Sequence, residues 1–167
     1  MPQLITSRIN KRPDSGFTLV EVLISVIVLS IGLLGLAGLQ ASSLKNNNSA
    51  YLRTQAVTLA NDIIDRMRAN QDIAKAGNYD IDIGTAAATP VAGCTGTGAD
   101  NCSASDMATL DVSQWKTKLS ELLPSGDGSV ARTVSGSETM VTVTIQWDDS
   151  RGSDGSATTQ FPVETVI

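Results

Sequence analysis

Few residues in this sequence have the type and spacing that chemistry at a site requires. The chain of 167 residues has no histidine and two cysteines, Cys94 and Cys102. A catalytic triad built on histidine, an imidazole base and a zinc site of the usual Cys/His kind therefore cannot form. No nucleophile elbow, phosphate-binding loop or pair of carboxylates suited to acid–base catalysis occurs. We predict a protein that is not an enzyme and that needs no metal and no cofactor.

One carboxylate lies where a charge is costly. The stretch from Phe17 to Leu39 is almost wholly apolar, and Glu21 is its single charged residue. As a helix rising about 1.5 Å per residue, this stretch spans roughly 35 Å, enough to cross a hydrocarbon core of about 30 Å. A carboxylate there costs about 2.5 to 3.5 kcal/mol near the bilayer centre and less near an interface. Glu21 either lies among the headgroups at the helix start or pairs with a cation in an assembly of helices.

The distribution of charge orients this segment. Arg8, Lys11 and Arg12 outweigh Asp14 before it, whereas the whole chain carries a formal charge of −5. By the positive-inside rule, the N-terminus is cytoplasmic and the remainder lies outside, which in a bacterium is the periplasm. The acidic balance of the chain also argues against direct nucleic-acid binding.

The residues around Gly16 resemble a known N-terminal signal. Gly16 followed by FTLVEVLI resembles the signal of type IV prepilins and type II secretion pseudopilins. The resemblance implies that a prepilin peptidase removes residues 1–16, cutting between Gly16 and Phe17, and methylates the new amine of Phe17. It also implies that Glu21 attracts the amine of a neighbouring subunit and so sets its register. A secretory signal cleaved near residues 41–43 is the alternative.

Three glycines, Gly32, Gly35 and Gly38, recur in the second half of the apolar run. They either permit close packing of helices or make a segment that can stretch within a filament. The run GLLGLAGLQ over residues 32–40 and the segment IIDRMRAN over residues 63–70 resemble the PilV group of minor pilins.

After the apolar run the pattern becomes amphipathic. Apolar residues at helical spacing predict a buried face, made of Tyr51, Leu52, Ala56, Leu59, Ala60, Ile63, Ile64 and Met67. We therefore expect one helix from Phe17 to about Asn70, with Asn70 and Gly77 as candidate stops.

The rest of the chain predicts a small periplasmic head. Residues 84–105 read as a loop that holds both cysteines. Outside the cytoplasm, Cys94 and Cys102 are expected to form one disulfide, with a metal or redox pair as the minor alternative. A second helix follows, capped by Ser105 or Asp106 and ended by Pro124, Gly126 and Gly128, with a buried stripe of Met107, Leu110, Trp115, Leu119 and Leu122. Strands are predicted over residues 130–134, 139–147 and 158–166, with a tight turn at Ser135-Gly136.

These features predict a pilin-like α+β fold, in which a small antiparallel sheet packs against a long helix and gives the molecule the shape of a ladle. The predicted parts are a leader (1–16), a membrane-spanning or filament-core half-helix (17–41), an amphipathic half-helix (42–72) and a head (73–167). The predicted function is that of a type IV pilus minor pilin that helps to initiate or modify pilus assembly near the filament tip. Its expected partners are the peptidase, other minor pilins, the major pilin, the inner-membrane assembly platform and the lipid bilayer. A type II secretion pseudopilin and a membrane-tethered periplasmic binding domain are the alternatives.

Overall fold

The computed structural model describes residues 16–95, 102–150 and 158–167. In chain order the elements are helices α1 (Leu19–Ala69) and α2 (Gln71–Ala76), a 3-10 turn (Ala92–Cys94), helix α3 (Ala104–Leu122), and strands β1 (Asp127–Ser135), β2 (Glu138–Asp148) and β3 (Thr158–Val166). This α+β architecture, with a long N-terminal helix and a small antiparallel sheet, confirms the predicted fold class. The predicted leader, apart from Gly16, lies outside the described residues.

The chain divides into two compact units, Met1–Lys45 and Asn46–Ile167. In the described part of the first unit, every residue from 16 to 45 is exposed, although most of the side chains are large and apolar. Helix α1 is long and apolar enough to cross a membrane, with a mean hydropathy of 2.7 over its most apolar window. Because none of residues 16–45 is buried, the apolar surface of this segment is available to a bilayer or to other subunits.

In the second unit, one face of α1 builds the core. Seven of the eight predicted side chains are buried, which confirms the helical spacing from Leu52 to Met67. Tyr51 is the exception, since it is 57% exposed; it lies one residue before the stripe and points away from it. Helix α1 ends at Ala69. Helix α2 ends at Ala76 and is followed by Gly77, whose φ of +94° makes a left-handed cap. Both predicted stops therefore mark helix ends.

The three strands form one antiparallel sheet in the order β1-β2-β3. Alternate residues of β2 form its inner face, where Val141, Val143, Ile145 and Trp147 are all buried. The residues between them, Thr142, Thr144 and Gln146, are half-buried. Strand β3 has the predicted bounds, whereas β1 begins three residues earlier than predicted, at Asp127.

Two local predictions about the sheet are wrong. The tight turn consists of Gly136 and Ser137 rather than Ser135-Gly136, because Ser135 still pairs with Glu138 and Gly136 takes the left-handed φ of +63°. Gly128 is a residue of β1 rather than a helix stop. It lies against the indole of Trp115, where a Cβ atom would come within 2.6 Å of a ring carbon.

Helix α3 covers the same core with a buried face that is shorter than predicted at both ends and that also includes Ala108, Asp111 and Val112. Leu110, Trp115 and Leu119 are buried, but Met107 and Leu122 are exposed, because they lie near the two ends of the helix. The N-cap is Ser103, not Ser105 or Asp106. The Ser103 hydroxyl accepts from the Asp106 N–H, and the Asp106 carboxylate accepts from the Ser103 N–H, which makes a capping box.

Candidate processing and assembly site

The residues of the predicted cleavage site precede the first helical turn. Gly16, Phe17 and Thr18 are not helical, and α1 begins at Leu19. Phe17 is fully accessible, with 84% of its surface exposed. The Thr18 hydroxyl accepts a hydrogen bond from the Glu21 N–H at 3.3 Å, as an N-cap residue does. The peptide bond between Gly16 and Phe17 is therefore exposed and free of helical hydrogen bonds, as a scissile bond must be.

Glu21 lies in the first turn of α1, where the N–H groups of the helix favour an anion. Within the described residues its carboxylate makes no ion pair. No other charged residue occurs between Phe17 and Leu44. Among the residues that the structure describes, Glu21 therefore has no ion-pair partner.

Nothing in the described chain requires glycine at the positions of Gly32, Gly35 and Gly38. None has a positive φ, and a Cβ atom built on any of them would meet no atom within 4 Å. Each glycine in a helix interior costs about 1 kcal/mol relative to alanine. Since neither backbone strain nor packing within the chain requires them, their role lies in contacts with other molecules or in the flexibility of the helix.

The predicted disulfide is confirmed. Cys94 and Cys102 are bonded, with their Cα atoms 4.8 Å apart. The bond joins the 3-10 turn to the residue just before the N-cap of α3. It closes a short loop and fixes the start of the helix that packs on α1.

A polar network that the sequence analysis did not predict joins α1 to α3. Arg66 donates to Asp111 at 2.8 Å and to Asp62 at 3.3 Å. The hydroxyl of Tyr79 donates to the second oxygen of Asp111 at 2.8 Å, and Lys118 donates to Asp62 at 2.9 Å. The spacing of Asp62 and Arg66, four residues apart on one helix, was the visible signal. The partners on α3 lie 45 or more positions further along the chain, so their pairing depends on the tertiary fold.

The electrostatics of this network are those of a structural contact. Burial opposes the ionisation of Asp62, but the hydrogen bonds from Lys118 and Arg66 outweigh it and hold the pKa of that carboxyl below its usual value. Burial, followed by the hydrogen bond to Asp111, raises the pKa of Tyr79. Both shifts move the pKa values of Asp62 and Tyr79 away from neutral pH. Among the residues that the structure describes, no three potential ligands cluster to hold a metal ion.

Comparison with known families agrees with this geometry. Residues 11–37 match the prokaryotic N-terminal methylation motif, which places the chain in the class of proteins that carry a prepilin-type N-terminus. Residues 38–113 match the family of the type IV pilin Tt1218. These two adjoining matches support a type IV pilin, and the type IV pilins are a structural rather than an enzymatic family. No curated protein and no solved structure matches it. Neither family match distinguishes the PilV group, which stays a prediction.

Proposed function

We propose that this chain is a minor pilin of the PilV group that helps to initiate or modify type IV pilus assembly near the filament tip. Prepilin peptidase cuts after Gly16 and methylates the amine of Phe17. The chain waits in the inner membrane with its N-terminus cytoplasmic and its head periplasmic. It then joins other minor pilins and the major pilin through the assembly platform.

The observation that carries this proposal is the arrangement of Gly16, Phe17 and Glu21. The bond to be cut is exposed and not helical, and the one carboxylate of an otherwise uncharged apolar segment follows in the first helical turn. The amine released at Phe17 is the cation that this carboxylate lacks. A pair of this kind, once buried in an assembly, loses about 3 to 5 kcal/mol when one partner is removed. Because this pair would fix the register between subunits, a carboxylate at Glu21 is useful despite the cost of inserting it into the membrane.

The first test is the intact mass and N-terminal sequence of the protein extracted from the membranes of its native host. The proposal expects a chain that starts at Phe17, carries one added methyl group and has lost two hydrogens in the Cys94–Cys102 bond. A start near Ser42 indicates a secretory signal, and an intact leader indicates a tethered periplasmic domain. Either result refutes the proposed processing.

The second test separates a pilus subunit from a secretion pseudopilin. Deletion of the protein is expected to reduce surface pili, and the wild-type chain is expected to restore them. The Glu21→Gln variant keeps the size of the side chain and removes its charge, so it is expected to be processed normally but to restore few pili. Normal pili after deletion, together with a defect in protein secretion, would assign the chain to a type II secretion system.

A further inference from the structure

Helix α1 begins two residues after the bond that the proposed peptidase cuts. Thr18 is the last residue before the helix and lies at its N-cap position, and Leu19, Val20 and Glu21 are the first helical residues. The Thr18 carbonyl oxygen accepts from the N–H groups of Glu21 and Val22 at 3.1 and 3.3 Å. The Thr18 hydroxyl also accepts from the Glu21 N–H, at 3.3 Å. Both acceptors of one residue therefore hold the start of the helix.

The side chain of Thr18 favours this start over an earlier one. Threonine is a preferred N-cap residue, and Thr18 and Glu21 have the residue types and the spacing of a capping box. Ser15 and Gly16 are the next residue types upstream that can cap a helix, but neither is followed three positions later by glutamate or glutamine. A helix that began after either of them would include Phe17 in its first turn.

The position of the helix start decides whether the bond is open to a peptidase. Exposed segments outside secondary structure are the preferred sites of proteolysis. Where local opening is fast, the rate of cleavage follows the population of the open form. With the start at Leu19, Phe17 is 84% exposed, and a Cβ atom at Gly16 would meet no atom of the described chain within 4 Å. The described chain therefore leaves this bond uncovered.

Resting on the proposed function, we infer that Thr18 is a positioning residue for removal of the leader. Its hydroxyl caps α1 and so keeps the bond between Gly16 and Phe17 outside the helix. The side chain acts on the conformation of the substrate and not on the peptidase. Residues that cap a helix as well as threonine does can therefore replace it, whereas residues that cannot cap slow the cut.

Four substitutions at position 18 separate capping from other properties of the side chain. Thr18→Ser and Thr18→Asn keep a capping oxygen, Thr18→Val keeps the shape without that oxygen, and Thr18→Ala keeps neither. Thr54→Val is the matched control, because the exposed Thr54 hydroxyl donates to the Ala50 carbonyl oxygen within α1 at 2.9 Å and caps nothing. Each full-length precursor is purified in detergent micelles and mixed with an excess of prepilin peptidase. The first-order rate of leader loss is then measured by mass spectrometry.

A second readout follows the conformation at the bond itself. The chain has two phenylalanines, and the second, Phe161, lies in β3. Phenylalanine labelled with ¹³C at Cα therefore gives two signals from the uncut chain, and that of Phe161 is an internal reference. If the helix extends backwards, the Cα signal of Phe17 moves towards the helical value.

The inference expects Thr18→Val and Thr18→Ala to be cut up to about five-fold more slowly than wild type, which is a cap of about 1 kcal/mol converted at about 1.4 kcal/mol per tenfold. In both variants the Phe17 signal is expected to move towards the helical value. Thr18→Ser, Thr18→Asn and the Thr54→Val control are expected to keep the wild-type rate and signal.

Equal rates for all variants would overturn the inference. Slow cleavage without a shift of the Phe17 signal, or slow cleavage of Thr18→Ser and Thr18→Asn, would also overturn it, because the peptidase would then recognise the side chain directly. In each of these cases, cleavage of the wild-type chain after Gly16 leaves the proposed function standing. A wild-type chain that the peptidase leaves intact refutes the proposed processing and the inference together.

Discussion

The two tryptophans of the head offer a measurement of what one buried hydrogen bond contributes. Trp115 and Trp147 are both almost completely buried in the same core. The Nε1 of Trp115 donates to the carbonyl oxygen of Leu59 on α1 at 2.9 Å. The Nε1 of Trp147 has no acceptor among the described residues. We predict that Trp115→Phe destabilises the head more than Trp147→Phe does.

The size of the difference follows from these contacts. Both substitutions remove the same atoms, so their packing costs are similar and largely cancel in the comparison. Trp115→Phe loses a net hydrogen bond of about 0.5 to 1.5 kcal/mol, while the Leu59 carbonyl keeps its helical partner. Trp147→Phe removes an unpaired buried donor, whose desolvation costs about 1 to 3 kcal/mol. The free energies of unfolding should therefore differ by about 1.5 to 4.5 kcal/mol.

The assay is urea unfolding of the full-length chain in detergent, followed by the fluorescence of the one tryptophan that each variant retains. With a slope near 2 kcal/mol per molar urea, the midpoints should differ by roughly 1 to 2 M. Near-ultraviolet circular dichroism of both variants before unfolding serves as the control for native packing. Equal midpoints, or a lower midpoint for Trp147→Phe, would refute the hydrogen-bond reasoning.

Three further predictions concern the head. Burial opposes the ionisation of Asp127, but hydrogen bonds from Lys116 and two backbone N–H groups outweigh this effect and lower the pKa of the carboxyl. The stability that the ionised carboxylate gives to the fold is therefore complete above about pH 4 and is lost as the pH falls further. Asp127→Asn should lower stability at pH 7 and flatten the acid limb of urea midpoints measured from pH 6 to pH 2. Replacing both cysteines of the Cys94–Cys102 bond by serine should cost about 2 to 3 kcal/mol, and wild type unfolded with reductant should match that variant; a smaller loss would contradict the loop-closure argument. Gly128→Ala places a methyl group against a buried indole and should cost about 1 to 3 kcal/mol in thermal unfolding, whereas unchanged stability would show that β1 can shift.

Periodicity predicted the elements of this fold, but not the contacts at their ends. The stripe from Leu52 to Met67 and the alternation along β2 follow directly from the spacing of apolar residues. The N-cap of α3 was predicted two or three residues late because Ser103, Ser105 and Asp106 are all good capping residues. Only the reciprocal bonds between Ser103 and Asp106 select one of them.

The residues of the candidate site also fall into two groups, those that the sequence predicts and those that only the fold brings together. Gly16, Phe17 and Glu21 were predictable because they follow one another in a short motif, and the disulfide because no third cysteine competes. The network around Arg66 was not predictable from the sequence, because Asp111 and Lys118 lie on α3. Residues so far apart along the chain show no sequence pattern that would pair them. A local pattern specifies local geometry, whereas tertiary packing alone brings distant charges together.

A comparison of two carboxylates explains where the function of this chain lies. Asp111 is nearly buried, and the chain itself supplies a guanidinium and a phenol hydroxyl to both of its oxygens. Glu21 belongs to a segment whose apolar surface is entirely exposed, and no cation of the described chain reaches it. A charge kept in an apolar environment must be paired. Within the described residues, Asp111 has its partners in the chain, whereas Glu21 has no ion-pair partner. Under the proposed function, the missing cation is the N-terminal amine of another processed subunit, which also brings an apolar helix.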